Sequence, residues 1–177
     1  AFMQGAGFSL ASATESRDLA LHAERLGLGD SNDYQGWAWD DLYELLLVHA
    51  VEPFLANKEA VFVTDYPARV PTLAQERTVS QASIQWQVKE RWELYIRGVE
   101  IANCYTEERN TDRVDAYIRE EGAEKNRSAV TPHPVINGFG HICARMPSCS
   151  GVAVGLDRLI MVLAGKKPIT ALASSHF

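Results

Sequence analysis

Two glutamates have the spacing of a carboxylate pair on one face of a β-hairpin. Glu93 and Glu100 flank the dipeptide Arg97-Gly98, whose glycine suits the positive φ of a two-residue turn. That turn pairs Tyr95 with Glu100 and places both glutamates on the face of Tyr95, as diagonal neighbours about 7–8 Å apart. The opposite face then holds only apolar residues, which are Leu94, Ile96, Val99 and Ile101.

Two carboxylates at that spacing repel each other unless a cation lies between them. Magnesium accepts one or two carboxylates together with phosphate oxygens, so the pair is compatible with a magnesium ion on a bound nucleotide. The alternative is the solvated face of a half-exposed sheet. Asn103 and Glu107 follow where the second strand ends, and on local grounds they are ordinary strand-end residues.

A glycine-rich segment near the end of the chain combines a bare strand with a cation in an unusual position. Gly151, Ala153 and Gly155 alternate along a predicted strand, so one face is open to the close approach of a ligand. Asp157 is a candidate cap of the next helix, and Arg158 follows in the first turn, where the helix dipole disfavours a cation. Arg158 therefore needs an anionic or aromatic partner. A nucleotide supplies both, and an acidic side chain is the alternative.

Composition narrows the function classes. The chain has 177 residues and a net charge of −6, which counts against direct nucleic-acid binding by this chain. Its three cysteines form no C-x-x-C pair, which argues against a disulfide framework or a zinc site and fits the reducing cytosol. No apolar run reaches the roughly 18 residues of a membrane span.

Periodicity predicts an α+β fold, an antiparallel sheet flanked by helices. The predicted helices are Ser12 to Gly27 capped by Thr14, Trp39 to Leu55 capped by Asp40 or Asp41 with Pro53 as kink or end, Asp112 to Lys125, Ile136 to Met146, and Asp157 to Ala164 closed by Gly165. The predicted strands are a buried one at Ala60 to Thr64 that ends at Asp65-Tyr66-Pro67, then Ser83 to Arg97, Val99 to Tyr105 and Gly151 to Leu156. Pro132 and Pro134 indicate a loop.

Three segments resemble a known family in the same order along the chain. Trp92 to Glu107 resembles the lysyl-tRNA synthetase segment E-L-F-x-x-G-x-E-I-x-N-G-F-x-E, and Gly151 to Leu159 resembles motif 3 of class II synthetases. Phe62 to Pro67 resembles the family's F-x-x-D-F-P strand end. The stretch M-P-x-C-S-G-V-A, Met146 to Ala153, is similar to the short paralogue that attaches (R)-β-lysine to elongation factor P. The helical region Thr14 to Leu55 is similar to that paralogue's insertion.

The resemblance implies a role for each matching residue. Glu93 and Glu100 would hold Mg²⁺ on the phosphates of ATP, and Arg158 would stack on adenine and reach the γ-phosphate. Gly155 would let the adenine lie close. Asn103 would position the amino acid and Glu107 would face its side-chain ammonium. Ala153 replaces the glycine of lysyl synthetases and accompanies the change from lysine to β-lysine, whereas Cys104-Tyr105 departs from the family's Gly-Phe.

The resemblance also defines the expected activity and its alternatives. It implies part of a class II synthetase catalytic domain, with residues 1–60 as a helical insertion and 61–177 as the sheet with motif 3. The implied reaction is ATP-dependent activation of a lysine-type amino acid for transfer to elongation factor P, in a cytoplasmic homodimer. Motifs 1 and 2 are not found, so we expect a fragment that is weak or inactive alone. A fragment of a true lysyl-tRNA synthetase with tRNA as acceptor remains an alternative, as does a non-catalytic nucleotide-binding or scaffold module.

Overall fold

The computed structural model describes residues 1–81, 84–128, 131 and 134–165. Its α-helices are α1 (Phe2–Gly5), α2 (Ser16–Arg25), α3 (Trp39–Leu46), α4 (Glu52–Leu55), α5 (Thr111–Ser128), α6 (Phe139–Cys143) and α7 (Leu156–Leu163). Two 3₁₀ turns (Leu10–Ser12 and Ser31–Tyr34) and a π-helical turn (Leu47–Val51) lie among the first four. The strands are β1 (Ala60–Pro67), β2 (Glu76–Gln81), β3 (Ile84–Ile96), β4 (Val99–Thr106) and β5 (Ser150–Val154).

The strands form one five-stranded sheet in the order β1-β3-β4-β5, with β2 paired to β3. Gly155 N–H donates to Ile101 O and Glu107 N–H to Cys149 O, so β4 and β5 are antiparallel. The predicted α+β fold with an antiparallel sheet and flanking helices is confirmed. The chain divides into two compact units, a first unit (1–64, 92–103 and 153–177) and a second unit (65–91 and 104–152).

The start of the first predicted helix differs from the expectation in its cap. Glu15, not Thr14, is the N-cap of α2, and it exchanges hydrogen bonds with Asp18 in a capping box. Ala23 and Leu19 are fully buried, as the helical spacing predicts, but Leu26 is 39% exposed because it follows the last turn. The helix is therefore shorter at both ends than the apolar spacing indicated.

The second predicted helix is a continuous helical run that changes its hydrogen-bond register. Ala38 is the N-cap of α3, and Asp40 and Asp41 lie in its first turn instead of capping it. Glu52 N–H donates to Leu47 O, five residues earlier, within the π-helical turn. Pro53 has no N–H to donate to the preceding turn, so a local change of register before it accommodates the proline without ending the helix.

Strand β1 is longer and more exposed than predicted. The expected buried strand at Ala60 to Thr64 is wrong about burial, since Phe62 is 57% exposed and contacts Trp92 edge to face at 5.1 Å. The strand also continues through Pro67. A strand with one neighbour in the sheet is covered on fewer sides than a central strand, and an apolar run does not distinguish the two.

The predicted hairpin is present in the first unit. Arg97 and Gly98 both have positive φ, 49° and 75°, as a two-residue turn of this type requires. Gly98 lies against Ala56, because a β-carbon added at Gly98 would be 2.7 Å from Ala56 Cα. The apolar face of the hairpin packs on α7, where the contacting residues are Leu94, Ile96, Val99 and Ile101 with Leu159, Met161 and Val162.

The second unit contains a strand that the sequence did not indicate. β2 pairs antiparallel with β3 from Glu76↔Lys89 to Gln81↔Ile84. Lys89 Nζ donates to Glu76 Oε1 at 2.8 Å. The only aliphatic residue of β2 is Val79, so the strand has no alternation of apolar and polar residues. Only its pairing with β3 identifies β2 as a strand.

The remaining predicted elements are present with adjusted ends. α5 extends beyond the predicted Asp112 to Lys125 at both ends, and α6 is shorter than predicted. Pro132 and the start of the predicted strand at Ser83 lie outside the described residues. Asp157 does not cap α7, because the N-cap is Gly155 and no side chain caps it. Gly165 follows α7 with a φ of 65°, the left-handed conformation expected of a closing glycine.

Candidate functional site

Glu93 is a buried carboxylate near the C-terminal end of β3. The residue is only 5% exposed, and Tyr95 Oη donates to its Oε2 at 2.9 Å. Tyr95 is 2% exposed and lies two residues along the strand, so the two side chains share a face. This face is opposite the apolar one that packs on α7. The strand therefore positions Glu93 as predicted, but the predicted solvated alternative does not describe a residue this deeply buried.

A second carboxylate reaches the same hydroxyl from the helical region. Glu52, the first residue of α4, places Oε1 3.3 Å from Tyr95 Oη. Burial raises the pKa of Glu52, the hydrogen bond from Tyr95 lowers it, and the negative charges of Glu44, Glu93 and Glu100 raise it further. Burial also raises the pKa of Tyr95, and Glu93 adds to the effect. Tyr95 is consequently a neutral donor among negative charges.

Glu100 connects the hairpin to the first turn of α7. Arg158 Nη1 donates to Glu100 Oε2 and to its backbone carbonyl, both at 3.2 Å. Asn103 Nδ2 donates to Glu100 Oε1 at 3.4 Å. The Arg158 and Glu100 side chains remain 53% and 32% exposed, so the ion pair is open to solvent and to a charged ligand. The acidic partner that the sequence required for Arg158 is Glu100.

The residues before α7 leave room beside Arg158. Gly155 has a φ of −75° and a ψ of 88°, which any residue can adopt. A β-carbon at this position would lie 3.3 Å from Arg158 Cδ, so the glycine makes space for the arginine stem. Ala153 is exposed, as the sequence predicted for the open face of the strand, and Val154 on the opposite face is exposed as well. The first unit thus gathers six of the seven predicted site residues, which are Glu93, Glu100, Asn103, Ala153, Gly155 and Arg158.

The seventh, Glu107, belongs to the second unit and is described there by itself. Gly151 leaves space for its carboxylate, because a β-carbon at Gly151 would collide with Glu107 Oε1. Gln75 Nε2 donates to the Glu107 carbonyl at 2.9 Å. Burial raises the pKa of the Cys104 and Cys143 thiols, and the negative charge of Glu107 raises both further. The three cysteines are free thiols.

The donor set of the first unit fits a magnesium ion that takes its other ligands from a nucleotide. Across residues 1–81, 84–128, 131 and 134–165 no cluster of three or more acidic, histidine or cysteine side chains is arranged to hold a metal by itself. Glu93 and Glu100 carry carboxylate oxygens, a type of ligand that magnesium combines with phosphate oxygens and water. Arg158 adds a positive charge and a planar group. Sequence reasoning missed Glu52 as a neighbour of the pair, since only the fold brings α4 to β3.

Comparison with known proteins agrees with these motifs. Residues 46–174 match the family described as tRNA synthetases class II (D, K and N). The match covers more than half of the chain and includes the hairpin, β5 and α7. Within the part of the chain that the structure describes, no helix is both long and apolar enough to cross a membrane.

Proposed function

Because the chain belongs to the D, K and N group of class II tRNA synthetases, we propose that it supplies one wall of an ATP site that activates a lysine-type amino acid. The observation that supports this most directly is the pair of hydrogen bonds from Arg158 to Glu100, on the hairpin that also bears Glu93. This arrangement places one carboxylate and one guanidinium at the exposed start of α7, with the buried Glu93 carboxylate on the same hairpin, and a metal-bound nucleotide complements that charge pattern.

In this proposal Glu93 and Glu100 would hold a Mg²⁺ ion that accompanies the ATP phosphates. Once bound there, the metal ion would neutralise the charge that develops on the phosphates. Arg158 would stack on adenine and donate to the γ-phosphate, and Gly155 would let the base lie close. Binding of the nucleotide would therefore replace part of the Arg158–Glu100 ion pair, because both groups would turn to the ligand.

The reaction would be amino-acid activation followed by acyl transfer. The amino-acid carboxylate attacks the α-phosphorus of ATP, the bond to the bridging oxygen breaks, and pyrophosphate leaves with its electron pair. The resulting aminoacyl adenylate then acylates an amine or a hydroxyl, and AMP leaves. The part of Arg158 in this sequence would be electrostatic, since it would stabilise negative charge on the leaving phosphates.

The substrates follow from the remaining motif residues. We assign Asn103 to positioning the amino acid, Glu107 to its side-chain ammonium and Ala153 to the preference for β-lysine over lysine. The acceptor we propose is elongation factor P, with a tRNA as the second candidate. The proposal also includes a helical insertion at residues 1–60, a sheet region at 61–177, a homodimeric full-length protein and a cytoplasmic location.

Binding of ATP tests the site in the chain itself. Titration calorimetry with ATP and Mg²⁺ should give a dissociation constant in the micromolar range, and Arg158→Ala should raise that constant about 30-fold or more. Arg17→Ala is the matched control, because Arg17 is an exposed arginine on α2. Absence of binding by the unsubstituted chain would favour the non-catalytic module, for which this fold would serve only as a scaffold.

The acceptor requires a transfer assay with the full-length protein. Labelled β-lysine and lysine are each offered with elongation factor P or with tRNA, and the labelled product is separated by size. Transfer of β-lysine to elongation factor P supports the proposal. Charging of tRNA with lysine, without any transfer to elongation factor P, would instead identify a true lysyl-tRNA synthetase.

A further inference from the structure

The Tyr95 hydroxyl lies between two carboxylates from different parts of the first unit. Its oxygen is 2.9 Å from Glu93 Oε2 and 3.3 Å from Glu52 Oε1. Glu93 and Tyr95 are almost completely buried, at 5% and 2% exposure. A buried carboxylate needs hydrogen-bond donors in place of water, and the Tyr95 hydroxyl is a donor that adds no charge.

The geometry restricts how Glu93 can turn. Tyr95 is fixed by its burial in β3, so its hydroxyl holds one oxygen of Glu93 in a defined place. Glu52 approaches the same hydroxyl from α4 and limits the rotation of the hydroxyl group. Without that hydroxyl, Glu93 Oε2 would lose a hydrogen bond at a position that is almost completely shielded from water.

We propose that Tyr95 and Glu52 are positioning residues that orient Glu93 for the metal–nucleotide complex. The inference rests on the proposed function, since it concerns the carboxylate assigned to Mg²⁺. Carboxylates that bind metals are themselves commonly held by hydrogen bonds, and the loss of such a partner typically weakens metal binding about 10–100-fold. The helical region would therefore contribute to the ATP site through Glu52.

The discriminating variant is Tyr95→Phe, which keeps the ring and removes only the hydroxyl. Mn²⁺ binding to the chain at a fixed, saturating ATP concentration is followed by electron paramagnetic resonance. We expect the Mn²⁺ concentration for half-saturation to rise about tenfold or more. Excess Mn²⁺ should restore the full amount of protein-bound Mn²⁺ in the variant. If the variant were partly unfolded, excess Mn²⁺ would not restore that amount. Tyr117→Phe, in α5, is the matched control and should leave the half-saturation point unchanged.

Substitutions of Glu52 provide a second test that keeps the Glu93–Tyr95 hydrogen bond. Glu52→Gln retains an oxygen acceptor for the hydroxyl and should change the half-saturation point less than Glu52→Ala does. Thermal unfolding of each variant checks that the fold is retained. A positioning role predicts the order Tyr95→Phe, then Glu52→Ala, then Glu52→Gln, from the largest shift to the smallest.

The outcomes separate this inference from the proposed function. If the unsubstituted chain binds Mn²⁺ with ATP and Tyr95→Phe binds it equally well, the positioning role is wrong while the ATP site stands. If the unsubstituted chain binds no Mn²⁺ with ATP, the proposed function fails, and the positioning role fails with it. A shift at Tyr95 with none at Glu52 would overturn the role of Glu52 and support that of the tyrosine.

Discussion

Replacement of Gly155 by alanine should weaken ATP binding far more than it weakens the fold. The backbone at Gly155 accepts any residue, with φ −75° and ψ 88°, so the added methyl group acts through its neighbours. It would lie 3.3 Å from Arg158 Cδ and 3.6 Å from Arg158 Cβ and Cγ. Comfortable separations between carbon atoms are about 3.5–4.0 Å, so the arginine stem must move by a few tenths of an ångström.

That movement affects hydrogen bonds that are already long. Both bonds from Arg158 Nη1 to Glu100 measure 3.2 Å, at the upper end of the usual range of about 2.7–3.2 Å. An exposed ion pair contributes about 0.2–1 kcal/mol, so the loss of unfolding free energy should stay below about 1 kcal/mol. Loss of a cation–π interaction with adenine, about 0.5–2 kcal/mol, corresponds to roughly 2- to 30-fold weaker ATP binding.

Calorimetry and denaturant unfolding of four proteins measure both effects. The proteins are the unsubstituted chain, Gly155→Ala, Arg158→Ala and the double variant, which form a double-mutant cycle. If Gly155 acts by making space for Arg158, alanine at 155 has no further effect on ATP binding once Arg158 is alanine. An equal loss of affinity in both backgrounds would refute this reasoning, as would a large loss of stability with unchanged ATP affinity.

Two further predictions concern the other carboxylates. Gly151→Ala should displace the Glu107 carboxylate, with which the new methyl would collide. The KM for the amino acid should therefore rise in the full-length protein. An unchanged KM would argue against the assigned role of Glu107. The folded-state pKa of Glu52 is raised above its ordinary value of 4.5, so its contribution to stability is present below that value and is lost as pH rises through the raised pKa. The unfolding free energy of the unsubstituted chain should therefore fall relative to Glu52→Gln as pH rises from 4.5 through the raised pKa, and a difference that grows in the opposite direction would contradict the shift.

The hairpin could be predicted from the sequence because local and cross-strand signals agree there. Arg97 and Gly98 have the positive φ values that a two-residue turn needs. Alternation on both sides of the turn then fixes which residues face α7. One polar face and one apolar face leave a single register that buries Ile101, and Glu93 and Glu100 are placed by the same register.

Other features depend on pairing and packing between segments that are distant in the sequence. The polar strand β2 is a strand because β3 offers it hydrogen bonds, and its own residues carry no such signal. The exposure of Phe62 follows from the position of β1 in the sheet. Glu52 belongs to the site through Tyr95, 43 positions later, and no spacing rule relates the two. The π-helical turn before Pro53 likewise replaces a kink that the proline alone suggested.

The two-residue turn at Arg97-Gly98 also constrains how the gene can change in length. Glu93 and Glu100 face the same way only because the number of residues between them is fixed by the turn and the pleat. One codon inserted or deleted between Glu93 and Arg97 would turn the Glu93 side chain toward the apolar face or create a bulge in the strand. A larger loop at the turn would also accommodate an inserted residue, but Ala56 already lies against Gly98 and leaves no room for one. Point substitutions on the exposed strand β5 alter only side chains. An insertion or deletion of residues in this hairpin would instead place Glu93 and Glu100 on different faces.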